Sequence, residues 1–340
     1  MAACQAVMES FLSLDPLGRD ATMTRGTSKI SVIGCGNVGM KFAFTAVLRG
    51  LARELVLVDL DTRRVEGEVM DLQHCSPFTK PVSITAGEVA DIKGSSVVVL
   101  SAGKKQRPGE TRLDLARANA AIFTKLARDV AEYAPDAVIL VATNPVDVLA
   151  HVTWQVSGFD HRKVIGSGTV LDSARFRHML ASHCVVDPRN VHAYVLGEHG
   201  DSEVLAWSSA SIGGMPLHGY CPFCARNNVC DKDSFKERVE NDVRRAAYEI
   251  IDRKSETSSA IGVSLARIVQ AVLEDENAIL PVSCLVQGYP NVPEVYMSLP
   301  AILNRHGIRA VLHVQLDEGE SSALATSARV LRETLDGLER

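Results

Sequence analysis

The chain lacks the features that mark membrane, secreted and nucleic-acid-binding proteins. Its longest apolar runs, Val97–Leu100 and Ala137–Val141, fall far short of the roughly 20 residues a bilayer-crossing helix needs, so they read as buried strands. No polybasic stretch is present. The 36 basic and 41 acidic side chains are interspersed and leave a net charge of -5, which makes nucleic acid and anionic membranes poor partners and a small molecule the expected one. Nor is there a paired cysteine framework: Cys4, Cys35, Cys75, Cys184, Cys221, Cys224, Cys230 and Cys284 are scattered, which points to free thiols in a reducing cytoplasm. The first 28 residues contain Glu9 and Asp15 and lack both a basic leader and a sustained apolar core, so they read as a flexible tail rather than a signal or transit peptide, with Met23 as an alternative start. Internal repeats and low-complexity tracts are absent.

What remains is a 340-residue chain, 46% hydrophobic, long enough for two domains. From residue 29 to about 170, short apolar runs at 29–34, 54–58, 82–86, 97–101, 137–142 and 163–166 alternate with helical patterns. In the one after residue 113, Ala116, Ala120, Phe123, Ala127 and Val130 recur at helical spacing and line one face. This pattern predicts an α/β fold, a doubly wound parallel sheet over 29–170. Over 171–337 the pattern predicts an α+β domain, with helices at about 171–184, 234–253 and 258–273, strands near 191–196, 279–287 and 310–314, and a terminal helix from 318.

The most informative stretch is Gly34-Cys35-Gly36-Asn37-Val38-Gly39, which closes the first strand and opens a helix. Gly34 permits a tight turn, Gly36 lets the backbone approach a pyrophosphate, and Gly39 allows helix and strand to pack closely, with phosphates resting on unpaired helix amides. Asp59, 20 residues beyond Gly39 at the end of the second strand, stands where a carboxylate accepts from a ribose hydroxyl. A 2′-phosphate there would be repelled, so NAD is the expected cofactor. Cys35 within the turn reads as a small buried filler, with an oxidisable low-pKa thiol as the alternative.

Three further segments suggest chemistry. The polar connection Ala102–Arg112, with glycines at 103 and 109, has the composition of a lid beside the ligand crevice, or of a solvated basic loop. Asp172-Ser173-Ala174-Arg175 and Gly197-Glu198-His199-Gly200-Asp201 supply a histidine base with pKa near neutrality, a carboxylate to orient it, and an arginine whose planar fork suits a substrate carboxylate. Arg175, three residues after Asp172, shares its helical face. The alternative for His199 is a structural histidine in a glycine-flanked turn. Lastly, His218, Cys221, Cys224 and Cys230 have a spacing that fits a zinc clip or a loop of incidental thiols; no metal is assigned.

Together these motifs, with Thr143-Asn144-Pro145-Val146-Asp147 and Thr257, resemble the lactate/malate dehydrogenase family over residues 29–335, specifically its L-lactate dehydrogenases of the allosteric bacterial type. The resemblance implies a Rossmann domain followed by a catalytic domain, and the interconversion of pyruvate and L-lactate. It makes His199 the proton donor and acceptor and Asp172 its partner. Arg175 holds the substrate carboxylate, Arg112 polarises the reacting carbonyl, and Gln106, Asn144 and Thr257 complete the substrate set. Gly34, Gly36, Val38, Gly39, Asp59, Arg64, Gly103, Ala142, Asn144 and Ser167 fall where the family holds NAD. Gln106 stands at the lid position where malate dehydrogenases carry arginine, so a second substrate carboxylate would be left unpaired. Arg177, about 200° around the helix from Arg175, and His192 match the residues that bind fructose 1,6-bisphosphate at a subunit interface, which implies a homotetramer; two solvated basic residues are the alternative. Other readings are a malate or branched-chain 2-hydroxy-acid dehydrogenase, and a non-catalytic NAD-binding protein that would need no histidine, clamp or lid. The chain departs from the family in Thr257-Ser258-Ser259, in lacking an aromatic near Val89–Ala90, and in the Cys221–Cys230 segment.

Overall fold

The computed structural model describes residues 28–104, 112–217 and 232–338. Hence Gln106, most of the expected lid, the possible zinc clip and the amino-terminal tail lie outside the described residues, as does the Arg112 side chain. Six parallel strands come first: β1 (Lys29–Ile33), β2 (Glu54–Val58), β3 (Ser83–Ala86), β4 (Val97–Leu100), β5 (Val138–Val141) and β6 (Val164–Gly166). They are ordered β6-β5-β4-β1-β2-β3, so the order reverses between β1 and β4 and a crevice opens at their carboxyl ends. All four residues of β4 and all four of β5 are buried, as strands covered on both faces must be.

Four helices belong to this half: α1 (Asn37–Arg49), α2 (Thr62–Gln73), α3 (Arg112–Tyr133) and α4 (Val146–Ser157). Local chemistry sets their ends. Asp61 accepts the Arg64 amide at 3.1 Å to start α2, and glycines in the left-handed region, Gly50 at φ 59° and Gly158 at φ 69°, stop α1 and α4. The apolar stripe of α3 buries Phe123 and Val130 with Leu149 of α4 on one face of the sheet, while Phe42 and Ala46 of α1 join the core on the other. Each such large side chain contributes about 1.5–3 kcal/mol of burial.

The second half begins with α5 (Val170–Cys184) and short strands β7 (Val191–His192), β8 (Val195–Leu196), β9 (Val204–Leu205), β10 (Ser211–Ile212) and β11 (Met215–Pro216). It continues with α6 (Lys232–Lys254), α7 (Ser259–Leu273), β12 (Ala278–Val286), β13 (Val295–Asn304), β14 (Gly307–Val311) and α8 (Glu318–Leu338). Three differences from the sequence expectations stand out. The strand expected over 191–196 is two short strands in separate sheets. The strand expected near 310–314 lies at 307–311, and β13, ten residues long, was not expected at all. Moreover, β12 pairs antiparallel with β6 through Ser283 and Gly166, so β12, β13 and β14 extend the parallel sheet to nine strands. Helix α7 packs on α1 so closely that a Cβ on Gly262 would lie 2.6 Å from the Lys41 carbonyl carbon.

Candidate active site

Two sets of residues meet at the carboxyl edge of the parallel strands. In the first, Gly34 adopts φ +101°, and a Cβ there would lie 2.2 Å from the Ala102 amide nitrogen. A Cβ on Gly39 would lie 2.1 Å from the Gly34 carbonyl oxygen. Both glycines are therefore required by the protein's own packing. Gly36 differs, because among the described residues no atom beyond its own chain neighbours comes within 4 Å of the position its Cβ would take. It forms the amino end of α1, which no side chain caps. An open approach beside free helix amides fits a pyrophosphate.

Asp59 follows β2; its Oδ2 accepts the Cys35 amide at 2.6 Å and its Oδ1 the Asp61 amide at 3.2 Å, which fixes the carboxylate against the glycine turn. Val38 packs on the core, and Arg64 on exposed α2 approaches Glu68 at 3.6 Å. Gly103, Ala142, Asn144 and Ser167 follow the carboxyl ends of β4, β5 and β6, around the same crevice. Cys35 is buried; its thiol points at the Val58 carbonyl and is pushed up to about 12 by burial and then by Asp59. That matches the filler reading, not the reactive one.

The second set centres on Asp172, buried in the first turn of α5. Its Oδ2 meets His199 Nδ1 at 2.6 Å and its Oδ1 accepts from Arg175 Nη1 at 2.6 Å. Burial alone would raise its pKa, but the His199 and Arg175 charges outweigh burial and hold it below the carboxylate range. For His199, burial works against the proton, yet Asp172, Asp147 and Glu203 together raise the imidazole to about 9. An imidazole whose Nδ1 is gripped by a carboxylate can carry a proton on Nε2.

The loop bearing His199 is fastened from three sides. Gly197 exchanges both backbone hydrogen bonds with Ser298 of β13, the Glu198 amide donates to Ser327 Oγ of α8 at 2.8 Å, and the His199 amide donates to Asp147 Oδ2 of α4 at 2.8 Å. Asp147 is fully buried and pushed up to about 6 by that burial, against the Ser283 hydroxyl and the His199 amide. A further tie joins the root of the 102–112 connection to Asn144: Asn119 of α3 accepts the Lys104 amide at 2.8 Å and donates to the Asn144 carbonyl at 3.0 Å.

Asp147, Asn119 and Ser327 were not assigned from sequence. Asn119 carried a signal as a polar residue on the apolar stripe of α3, and Asp147 as the end of the Thr143–Asp147 motif. Thr257 lies in the short link between α6 and α7. Arg177 donates to the Pro188 carbonyl at 3.2 Å, and His192 is exposed in β7. Among the described residues no cluster suits a metal ion.

Comparison with known proteins agrees with these features. A family model described as lactate/malate dehydrogenase, NAD binding domain, matches residues 28–166. Another, for the alpha/beta C-terminal domain of the same family, matches residues 169–340. Similar proteins include the L-lactate dehydrogenase of Thermoanaerobacter pseudethanolicus, 44% identical over 312 residues, which span 92% of this chain and 99% of that one. An L-lactate dehydrogenase of Clostridium botulinum is 45% identical over 312 residues, 92% of this chain and 97% of that one. Among solved structures, a lactate dehydrogenase from a Medee basin deep-sea metagenome library superposes with a TM-score of 0.87 at 43% identity, covering 92% of this chain and 99% of that one. The minor L-lactate dehydrogenase of Enterococcus mundtii gives 0.87 at 38% identity, covering 91% and 98%.

Proposed function

We propose that this chain, which belongs to the lactate/malate dehydrogenase family, reduces pyruvate to L-lactate with NADH and catalyses the reverse oxidation. NAD is its cofactor. The observation that carries the reading is one buried carboxylate, Asp172, gripping His199 Nδ1 with one oxygen and the Arg175 guanidinium with the other. When bound, NADH supplies the hydride. Protonated His199 delivers a proton from Nε2 to the carbonyl oxygen, and Asp172 steadies the imidazolium before transfer and the tautomer after it. Arg175 pairs with the substrate carboxylate, Arg112 polarises the carbonyl, and Asn144 and Thr257 border the substrate. Gly34, Gly36, Val38, Gly39, Asp59, Arg64, Gly103, Ala142, Asn144 and Ser167 hold the dinucleotide.

Gly36 offers a test of that placement. Because its Cβ would meet no atom of the other described residues, Gly36→Ala should cost only about 1 kcal/mol of stability as a poorer helix start. NADH binding should nevertheless weaken about tenfold or more, as the methyl group enters the phosphate space. Unaltered NADH affinity would move the pyrophosphate elsewhere.

Selectivity rests on Gln106. A neutral amide leaves the extra carboxylate of oxaloacetate desolvated without a partner, a penalty of several kcal/mol, roughly a hundredfold or more in kcat/KM. Following NADH absorbance with pyruvate, oxaloacetate and 2-oxoisocaproate should therefore rank pyruvate first by that margin; comparable rates would overturn the assignment. Arg177 and His192 complete the proposal as an effector site for fructose 1,6-bisphosphate in a cytoplasmic homotetramer. Support comes from the position of Arg177, whose guanidinium turns to the Pro188 carbonyl, and from the exposure of His192. Adding the bisphosphate should lower the half-saturating pyruvate concentration, and no change would remove the effector site.

A further inference from the structure

Beyond Asp172 lies a carboxylate that the reaction as described leaves unused. Glu203, which immediately precedes β9, is only 4% exposed, and its enclosed Oε1 has no hydrogen-bond partner among the described residues. Neighbouring groups are occupied elsewhere. Asp172 spends both oxygens on His199 and Arg175, Arg244 Nη2 donates to the Glu203 main-chain carbonyl at 3.3 Å, and Arg244 Nη1 lies 3.6 Å from Glu240. Glu240 in turn accepts from Trp207 Nε1 at 3.0 Å. Glu203 also lines a cavity of about 660 Å³ between α6 and the start of α8, walled in addition by Ser202, Lys236, Arg244 and Thr326.

Two carboxylates enclosed in one region, the second with no ion pair at salt-bridge distance among the described residues, cannot both ionise cheaply. Asp172 keeps its charge through its two cationic partners, so Glu203 is the member that takes a proton. Resting on the lactate dehydrogenase reading, we propose that Glu203 is a positioning residue for the proton on His199. It exchanges its own proton with solvent through the α6–α8 cavity, and once ionised it places a further negative charge near Asp172 that holds the imidazolium proton at alkaline pH.

The surrounding charges support this sequence of events. Asp172 and Arg175 of α5, Arg244 of α6 and His199 act on Glu203, whose amide donates to the Gly200 carbonyl beside His199 at 3.2 Å; Asp147 of α4 acts on His199, and Asp201, Lys236, Glu240, Asp317 and Glu320 border the same cavity. Burial first, then the Asp172 charge, push the Glu203 carboxyl up to about 8, against His199, Arg244 and Arg175. Glu203 therefore acquires its charge in the same alkaline range in which His199 gives up its proton. Its ionisation delays that loss.

The test compares Glu203→Gln and Glu203→Asp with the parent enzyme. A glutamine never ionises, so the alkaline limb of kcat/KM for pyruvate should move down by about half to one pH unit, a threefold to tenfold deficit on that limb. Aspartate retains the titrating group and should bring the limb back toward its original position. Titrating the His199 imidazole by NMR should show the same displacement without turnover. An NMR displacement in a protein inactive on pyruvate would sink the reaction and sustain the role of Glu203. Superimposable parent and Glu203→Gln profiles, or a Glu203→Asp limb displaced as far as that of Glu203→Gln, would overturn it.

Discussion

Replacing His199 by asparagine should lower kcat/KM for pyruvate by about 10²–10⁴-fold, the usual contribution of a positioned acid-base group. The loss should fall on the chemical step. The glycine turn joins β1 to α1, whereas His199 stands in the loop after β8, so NADH affinity, read by fluorescence, should change by less than about threefold, or well under 1 kcal/mol. The substitution removes a cation from Asp172 but leaves Arg175 on the other oxygen, so the carboxylate keeps a partner and the fold should survive. A variant that kept more than a tenth of the parent activity would mean that another group supplies the proton.

Asp172→Asn should rank next. In the parent, His199 holds its proton up to about pH 9 because Asp172 overrides burial, so pyruvate reduction should persist through neutral pH and decline as pH rises through that value. With a neutral amide at 172, burial faces only the weaker pull of Asp147 and Glu203, and the limb should fall by two units or so, toward the ordinary histidine value of about 6.5. Slightly above neutrality the loss in pyruvate reduction should then approach ~10–100-fold, shrinking as the medium is acidified. Stability should fall too, by about 3–5 kcal/mol, since Arg175 is left enclosed without its charge partner. The sign of the parent's own stability change follows. A folded-state pKa above the unfolded value of about 6.5 makes the contribution of His199 complete below that pH, and it is lost as pH rises through about 9. An unchanged pH limb in Asp172→Asn would detach Asp172 from the histidine's proton.

The sequence made the parallel half of the fold legible because each of its strands is a run of buried aliphatics bounded by turn residues, and local composition suffices for such runs. Strand β13 escaped because Ser298 and Pro300 interrupt its apolar run. Proline in a strand is tolerated here because Pro300 stands opposite Pro281 of β12, the β14 partners begin only at Ala301, and β6 meets β12 only at Ser283, so the missing amides fall where the outer strands are unpaired. In the candidate site, His199, Asp172 and Arg175 were readable since glycine flanks and helical spacing are local signals. Asp147 and Glu203 were not, although both lie in quoted or adjoining motifs. Asp147 matters through a hydrogen bond spanning 52 positions, and Glu203 through burial beside Asp172 of α5. Only the folded chain brings those charges together.

The continuous ladder from β14 to β3 has a mechanical corollary. Since β12 is bonded to β6 and α7 is pressed onto α1, the two parts of the molecule cannot rock against each other about a hinge without breaking sheet pairing and separating helix backbones in van der Waals contact. Shielding the reacting carbon from water therefore falls to segments bordering the crevice, while the His199 loop stays tied to the same sheet through Gly197 and Ser298.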